Sequence, residues 1–110
     1  MKTSYFAKYK GENAVSISAK CPDWYKGREY KKLAPKYWFF KAYKDGDITK
    51  EEYTFCYKTE VLDKLDPKVV YEELGTNSVL LCYEKIGDFC HRHIVSKWLS
   101  DNLNIEIKEI

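Results

Sequence analysis

The stretch that decides the fold is Ser78-Val79-Leu80-Leu81-Cys82-Tyr83. It is a short, nearly unbroken apolar run with a β-branched start. A run apolar on both faces suits a central parallel strand, because half-buried strands alternate with polar residues. Gly87-Asp88 follows it, with Asp88 placed as an N-cap. Phe89, Ile94, Val95, Trp98 and Leu99 then form one apolar stripe to about Asn102, as an amphipathic helix requires. Ile105–Ile110 alternates apolar and charged positions and reads as a terminal strand. Strand, helix and strand over 78–110 make a βαβ unit.

Working towards the N-terminus, Asp66-Pro67 starts a helix with proline at its first position, and Gly75 ends it after Leu74. Thr49-Lys50-Glu51-Glu52 is a capping box, and Tyr53, Cys56, Tyr57, Val61 and Leu65 recur behind it at helical spacing. Asp45-Gly46-Asp47 is a turn, and the aromatic segment Tyr37–Tyr43 before it reads as extended. Asp23 caps a helix or turn over Trp24–Leu33, which Pro35 terminates. Ala14–Ser18 is a strand stopped by Cys21-Pro22, and a weaker strand precedes it near Ser4–Tyr9, with Lys10–Asn13 as the turn between them. The expected fold is a small layered α/β domain. Its sheet is mainly parallel, of three to five strands flanked by helices, with 78–83 central and parallel to 14–18.

The whole chain of 110 residues reads as one domain, long enough for a core that needs no staples. A net charge of +2 is too small to imply nucleic-acid binding by itself. The lopsided stretch is 26–44, where Lys26, Arg28, Lys31, Lys32, Lys36, Lys41 and Lys44 interleave with Tyr30, Tyr37, Trp38, Phe39, Phe40 and Tyr43. Interleaved cations and rings suit single strands or nucleotides, although a solvated face over a core segment explains the same pattern. No stretch reaches the ~18 apolar residues of a membrane span. The first residues lack a signal peptide, so a cytoplasmic, reducing location is expected. Cys21, Cys56, Cys82 and Cys90 are then expected as free thiols.

Candidate chemistry concentrates where Cys82-Tyr83-Glu84-Lys85 meets Asp88-Phe89-Cys90-His91-Arg92. Ligands of open α/β sheets bind beyond the carboxyl ends of the strands, and helix starts favour anions. Arg92, Lys85 and Asp88 are the expected anion site, with Ser18 and Trp24 as further ligand contacts. Cys90 is the expected thiolate or nucleophile and the most acidic of the four thiols, at a helix start beside Arg92. His91 and Glu84 are the candidate proton carriers. Cys82 is a second candidate for catalysis. Plainer readings stand beside these: Cys82 as a small core hydrophobe, His91 as a satisfied core histidine, Arg92 as an ion-pair partner of Glu84. The spacing matches no zinc finger, so no metal is expected, and no glycine motif for a cofactor is present. The function expected is binding, and perhaps processing, of a phosphate-bearing small molecule such as a nucleotide. The alternative is a non-catalytic module that binds nucleic acid or protein through 26–44.

Leu80-Leu81-Cys82-Tyr83-Glu84-Lys85, followed by Cys90-His91-Arg92 and a hydrophobic helix, resembles the signature of the domain of unknown function 488 family. Val15–Ser18 with Pro22 and Trp24 is similar in position to that family's early strand-then-proline motif. Here Ser16-Ile17-Ser18 stands where an Asp-Val-Arg run is common. The resemblance implies a fold type and a site, and no reaction.

Overall fold

A computed structural model describes residues 1–84 and 89–110. The strands are β1 (Lys2–Tyr5), β2 (Ala14–Ser16), β3 (Arg28–Glu29), β4 (Val79–Cys82) and β5 (Lys108–Glu109). The helices are α1 (Tyr37–Lys44), α2 (Lys50–Glu60), α3 (Pro67–Leu74) and α4 (His91–Leu103), with 3-10 turns at Lys31–Leu33 and Leu62–Lys64. The strands form one sheet in the order β3-β2-β4-β1-β5. Every pairing is parallel, so this is the small α/β domain with a parallel sheet that the apolar run implied.

β4 is the middle strand and pairs directly with β2, Val15 opposite Leu80 and Ser16 opposite Leu81. Its alternate side chains serve two cores. Leu80 joins Val15, Ile17, Phe39, Tyr53, Tyr57, Val70, Leu74, Ile94, Val95 and Leu99, so all four helices bury residues against one face. Val79 and Leu81 join Ala14 and Phe6 on the other face, under Tyr9, Tyr25 and Ile110. β4 is therefore apolar on both sides although, among the described residues, helices cover only one, since loop aromatics take the place of a second helical layer.

The caps formed as their chemistry dictates. Glu52 N–H donates to Thr49 Oγ1 at 3.1 Å, and Thr49 N–H donates to Glu52 Oε1 at 2.9 Å. Thr49→Ala should lower stability by about 1 kcal/mol in urea melts; an unchanged midpoint would mean the box is redundant. The Asp66 side chain accepts from Lys68 N–H at the start of α3, and Gly75 ends that helix at φ +94°.

Several expectations fail. Tyr37–Tyr43 is helical, not extended. Only Phe39 of its first four rings is buried, wedged edge-on against Tyr53 at 5.2 Å, while Tyr37 and Trp38 stay exposed. One buried ring in four suits a helix stripe, so packing overrides aromatic β-propensity. Gly46 at φ +80° closes the helix, with its N–H on Tyr43 O and Asp47 N–H on Ala42 O, the paired bonds of a glycine-stopped helix. Of the helix or turn expected over 24–33, the turn holds at its start, Asp23–Trp24, and the rest is β3 and a 3-10 turn. Gly27 and the edge pairing of β3 on β2 draw it out of helical form. The first strand lies earlier than expected, at Lys2–Tyr5, and β4 separates it from β2, so the two form no hairpin. The last strand is only Lys108–Glu109, an edge strand on β1.

Candidate functional site

The site is built at the carboxyl end of β4. Cys82 is the last residue of that strand, and Cys90 is the N-cap of α4. The two are joined by a disulfide, and Cys21 and Cys56 are the free thiols. This corrects the expectation of four free thiols. It also removes Cys90 as the most acidic thiol in this state, since a bonded sulfur carries no proton. Pairing depends on the fold, which returns the start of α4 to the end of β4 and so brings the two sulfurs together. Asp88 and Lys85, the expected cap and anion contact, lie outside the described residues.

Arg92 occupies the second position of α4 and is completely buried. Its Nη1 donates to Cys82 Sγ at 3.2 Å and to Glu84 O at 2.7 Å. Nε and Nη2 donate to the Glu109 carboxylate, the nearest contact being 2.8 Å. The guanidinium thus joins the end of β4 to the C-terminal edge strand. Burial by itself would raise the Glu109 carboxyl, but hydrogen bonds from Arg92 and Thr3, with the guanidinium charge, hold it below the usual carboxylate range. Glu109 was absent from the expectations. The available signal was the alternation of 105–110, which puts an acid where the odd-numbered positions carry isoleucine; an inward acid needs a cation.

His91 is the first residue of α4 and is buried against the Tyr57 ring. Its Nε2 lies 2.7 Å from Ile17 O, which can only accept, so Nε2 carries the proton. Nδ1 is then the bare nitrogen, 3.8 Å from Cys90 Sγ. Burial pulls the ring down to about 4, despite the Ile17 hydrogen bond, so the imidazole is neutral at pH 7. It can accept a hydrogen bond from a thiol.

Glu84 does not orient Arg92 through its carboxylate. That group pairs with Lys44 at 2.9 Å, and Arg92 takes the Glu84 carbonyl instead. The sulfurs of Cys82 and Cys90 and a nitrogen of His91 lie within 4.8 Å of one another. These are metal-donor types, but sulfurs bonded to each other have no thiolate to give a metal.

Beside this cluster a cleft of about 460 Å³ opens. Cys82, Glu84 and His91 lie on its wall with Ser18, Ala19 and Lys20 from beyond β2, and Tyr37, Phe40 and Lys44 from α1. Tyr83, half exposed, completes it. Ser18 is buried and its Oγ has no hydrogen-bond partner among the described residues. Trp24 is not in the cleft wall. It packs edge-on against Phe6, which in turn meets Tyr83, and Lys10 Nζ sits 3.4 Å over its ring. Arg92 is not in that wall either; its donors face Cys82, Glu84 O and Glu109.

The basic stretch 26–44 is largely neutralised. Lys31 pairs with Glu29, Lys32 with Glu73, and Lys41 with Asp45. Arg28 caps the C-terminus of α3 through the carbonyls of Glu73 and Leu74.

A family model described as the active DUF488-N3 subclade, DUF488-N3a, matches residues 7–103. The chain belongs to the DUF488-N3a family. The match spans β2, β4 and α4, and so includes Cys82, Cys90, His91 and Arg92; only Glu109, on β5, falls beyond it. No curated protein and no solved structure matches the chain. Among the described residues, no helix is long and apolar enough to cross a membrane.

Proposed function

We propose that this DUF488-N3a chain is a thiol-dependent enzyme of the cytoplasm acting on a phosphate-bearing small molecule such as a nucleotide, held in the cleft beyond β4. The observation that carries this reading is the fully buried Arg92 with Nη1 3.2 Å from Cys82 Sγ. A guanidinium in a dry setting favours the thiolate, which is the nucleophilic form. In the reduced protein Cys82 is the nucleophile. Cys90 is its partner thiol, hydrogen-bonded to the bare Nδ1 of His91. Arg92 supports the sulfur and leaves anion contact to Lys20 and Lys44 at the cleft. Tyr37, Phe40 and Tyr83 supply ring faces on which a base stacks. The unpartnered Ser18 Oγ supplies a hydrogen-bonding group to a bound molecule. The family description as an active subclade supports catalysis over passive binding.

The test is a thermal-shift screen of nucleotides and phosphorylated metabolites on the reduced protein. A ligand present at 100 times its Kd should add about 2.7 kcal/mol, or roughly 10 °C in Tm for a domain of this size. Tyr37→Ala and Lys44→Ala should each diminish the shift. A screen with no shift, or a shift untouched by both substitutions, would remove the nucleotide reading.

A further inference from the structure

We infer that Cys82 and Cys90 form a reversible two-electron thiol–disulfide couple that exchanges with small-molecule disulfides entering the cleft, with Cys82 as the attacking sulfur and Cys90 as the resolving one. The inference rests on the thiol-nucleophile part of the proposed function and is independent of the phosphate-bearing substrate.

The two sulfurs are already bonded, yet their surroundings differ. Cys82 forms part of the wall of the large cleft and faces a buried cation, Arg92 Nη1, at 3.2 Å. Cys90 lines a smaller recess with Phe89, Tyr43 and Tyr53, which shares Phe40, Lys44, Glu84 and His91 with the cleft. It faces a neutral acceptor, His91 Nδ1, at 3.8 Å. On reduction the pair therefore divides into unlike halves. The guanidinium holds Cys82 as a thiolate, and the imidazole accepts a hydrogen bond from Cys90 as a thiol. Both sulfurs are buried, Cys82 at 1% and Cys90 at 4% exposed, so the cation beside Cys82, and not exposure, is what assigns it the ionised, attacking role.

The exchange balances without a further reactant. The Cys82 thiolate attacks one sulfur of a disulfide RSSR, the S–S bond breaks, and one RS⁻ leaves. Cys82 then carries the mixed disulfide. Cys90 attacks the Cys82 sulfur, the Cys82–SR bond breaks, and the Cys82–Cys90 bond forms. The second RS⁻ departs, and the Cys90 proton passes to a departing thiolate. Two electrons move from the protein dithiol to RSSR. Run backwards, small thiols reduce the protein through the same mixed disulfide on Cys82.

The alternative use of the cluster is a metal centre, since two cysteines and a histidine converge there. Arg92 argues against it, because a guanidinium against Cys82 Sγ repels an incoming cation.

The experiment equilibrates the full chain in buffers of graded reduced and oxidised glutathione. It is then quenched with N-ethylmaleimide and read by intact mass and peptide mapping. The expected result is a single reversible transition between a form with two blocked cysteines and one with four. In Cys90→Ser the glutathione adduct should accumulate on Cys82. It should form about tenfold faster than the adduct on Cys90 in Cys82→Ser, reflecting the larger thiolate fraction beside Arg92. Should either variant unfold by circular dichroism, brief quenching of the wild-type reaction locates the mixed disulfide instead. An adduct on Cys90 in Cys82→Ser that forms as fast as the one on Cys82 in Cys90→Ser, or a wild-type mixed disulfide on Cys90, would overturn the assignment of roles. Persistence of both thiols at every glutathione ratio would overturn the couple. So would one zinc per reduced chain that protects both thiols from alkylation. A reversible transition alongside a negative nucleotide screen would sink the substrate reading and leave the couple standing.

Discussion

Replacing Arg92 with methionine should destabilise the protein by about 3–5 kcal/mol, the usual loss when one partner of a buried ion pair is removed. Arg92 is fully buried, while the Glu109 side chain is 21% exposed. The substitution strands the Glu109 carboxylate against β1 and leaves the Glu84 carbonyl and Cys82 Sγ without their donor. Domains of this kind hold only about 5–15 kcal/mol in total, so the loss consumes a large part of their stability. Adding Glu109→Leu to Arg92→Met should recover much of it, because the uncompensated charge leaves with its partner. Chemical denaturation of the single and double variants measures both effects. A loss below about 1 kcal/mol for Arg92→Met would show a pair no more significant than one at the surface. No recovery in the double variant would place the loss in the sulfur and carbonyl contacts.

Acidification from pH 7 to pH 4 should remove about 3 kcal/mol through His91 alone. In the unfolded chain the ring takes its proton near 6.5, and in the folded protein burial holds that uptake down to about 4. Between those values the unfolded chain binds a proton that the folded chain refuses. The stabilising contribution is thus complete above pH 6.5 and is lost as pH falls towards 4. Glu109, also depressed, acts in the same direction at the lower end of that range. Urea melts at steps across pH 4–7 should show the fall, and His91→Gln should flatten it. Profiles of equal slope in the two proteins would mean that the ring is protonated in the fold and that Nδ1 is not bare. The thiol hydrogen bond assigned to Cys90 would then go with it.

Much of the fold was legible because its signals are local. The capping box at Thr49 is satisfied by residues three apart, and Asp66-Pro67 and Gly75 bound α3 by the dihedral angles those residues prefer. The run Val79–Cys82 announced a central strand because only a strand covered on both faces keeps four buried residues in succession. Tyr37–Tyr43 misled because ring content favours strands on average, while the helix followed from a partner, Tyr53, that no local window contains.

The site divides in the same way. The amino-acid sequence by itself determined that Cys82–Glu84 and Cys90–Arg92 come together. A strand end and a helix start eight or so residues apart must meet there, whatever the rest of the chain does. Only the tertiary structure decided what each residue does on arrival. Arg92 turns inward to Glu109, 17 residues on, and the Cys82 sulfur receives its cation from that clamp. His91 fixes its tautomer on Ile17 O, 74 residues away in the chain. Cys82 and Cys90, which local sequence presents as separate thiols, meet as partners. Periodicity and capping report hydrogen bonds closed within a few residues. The protonation and pairing of a buried group depend on which distant atoms exclude water from it, and the fold alone brings those atoms together.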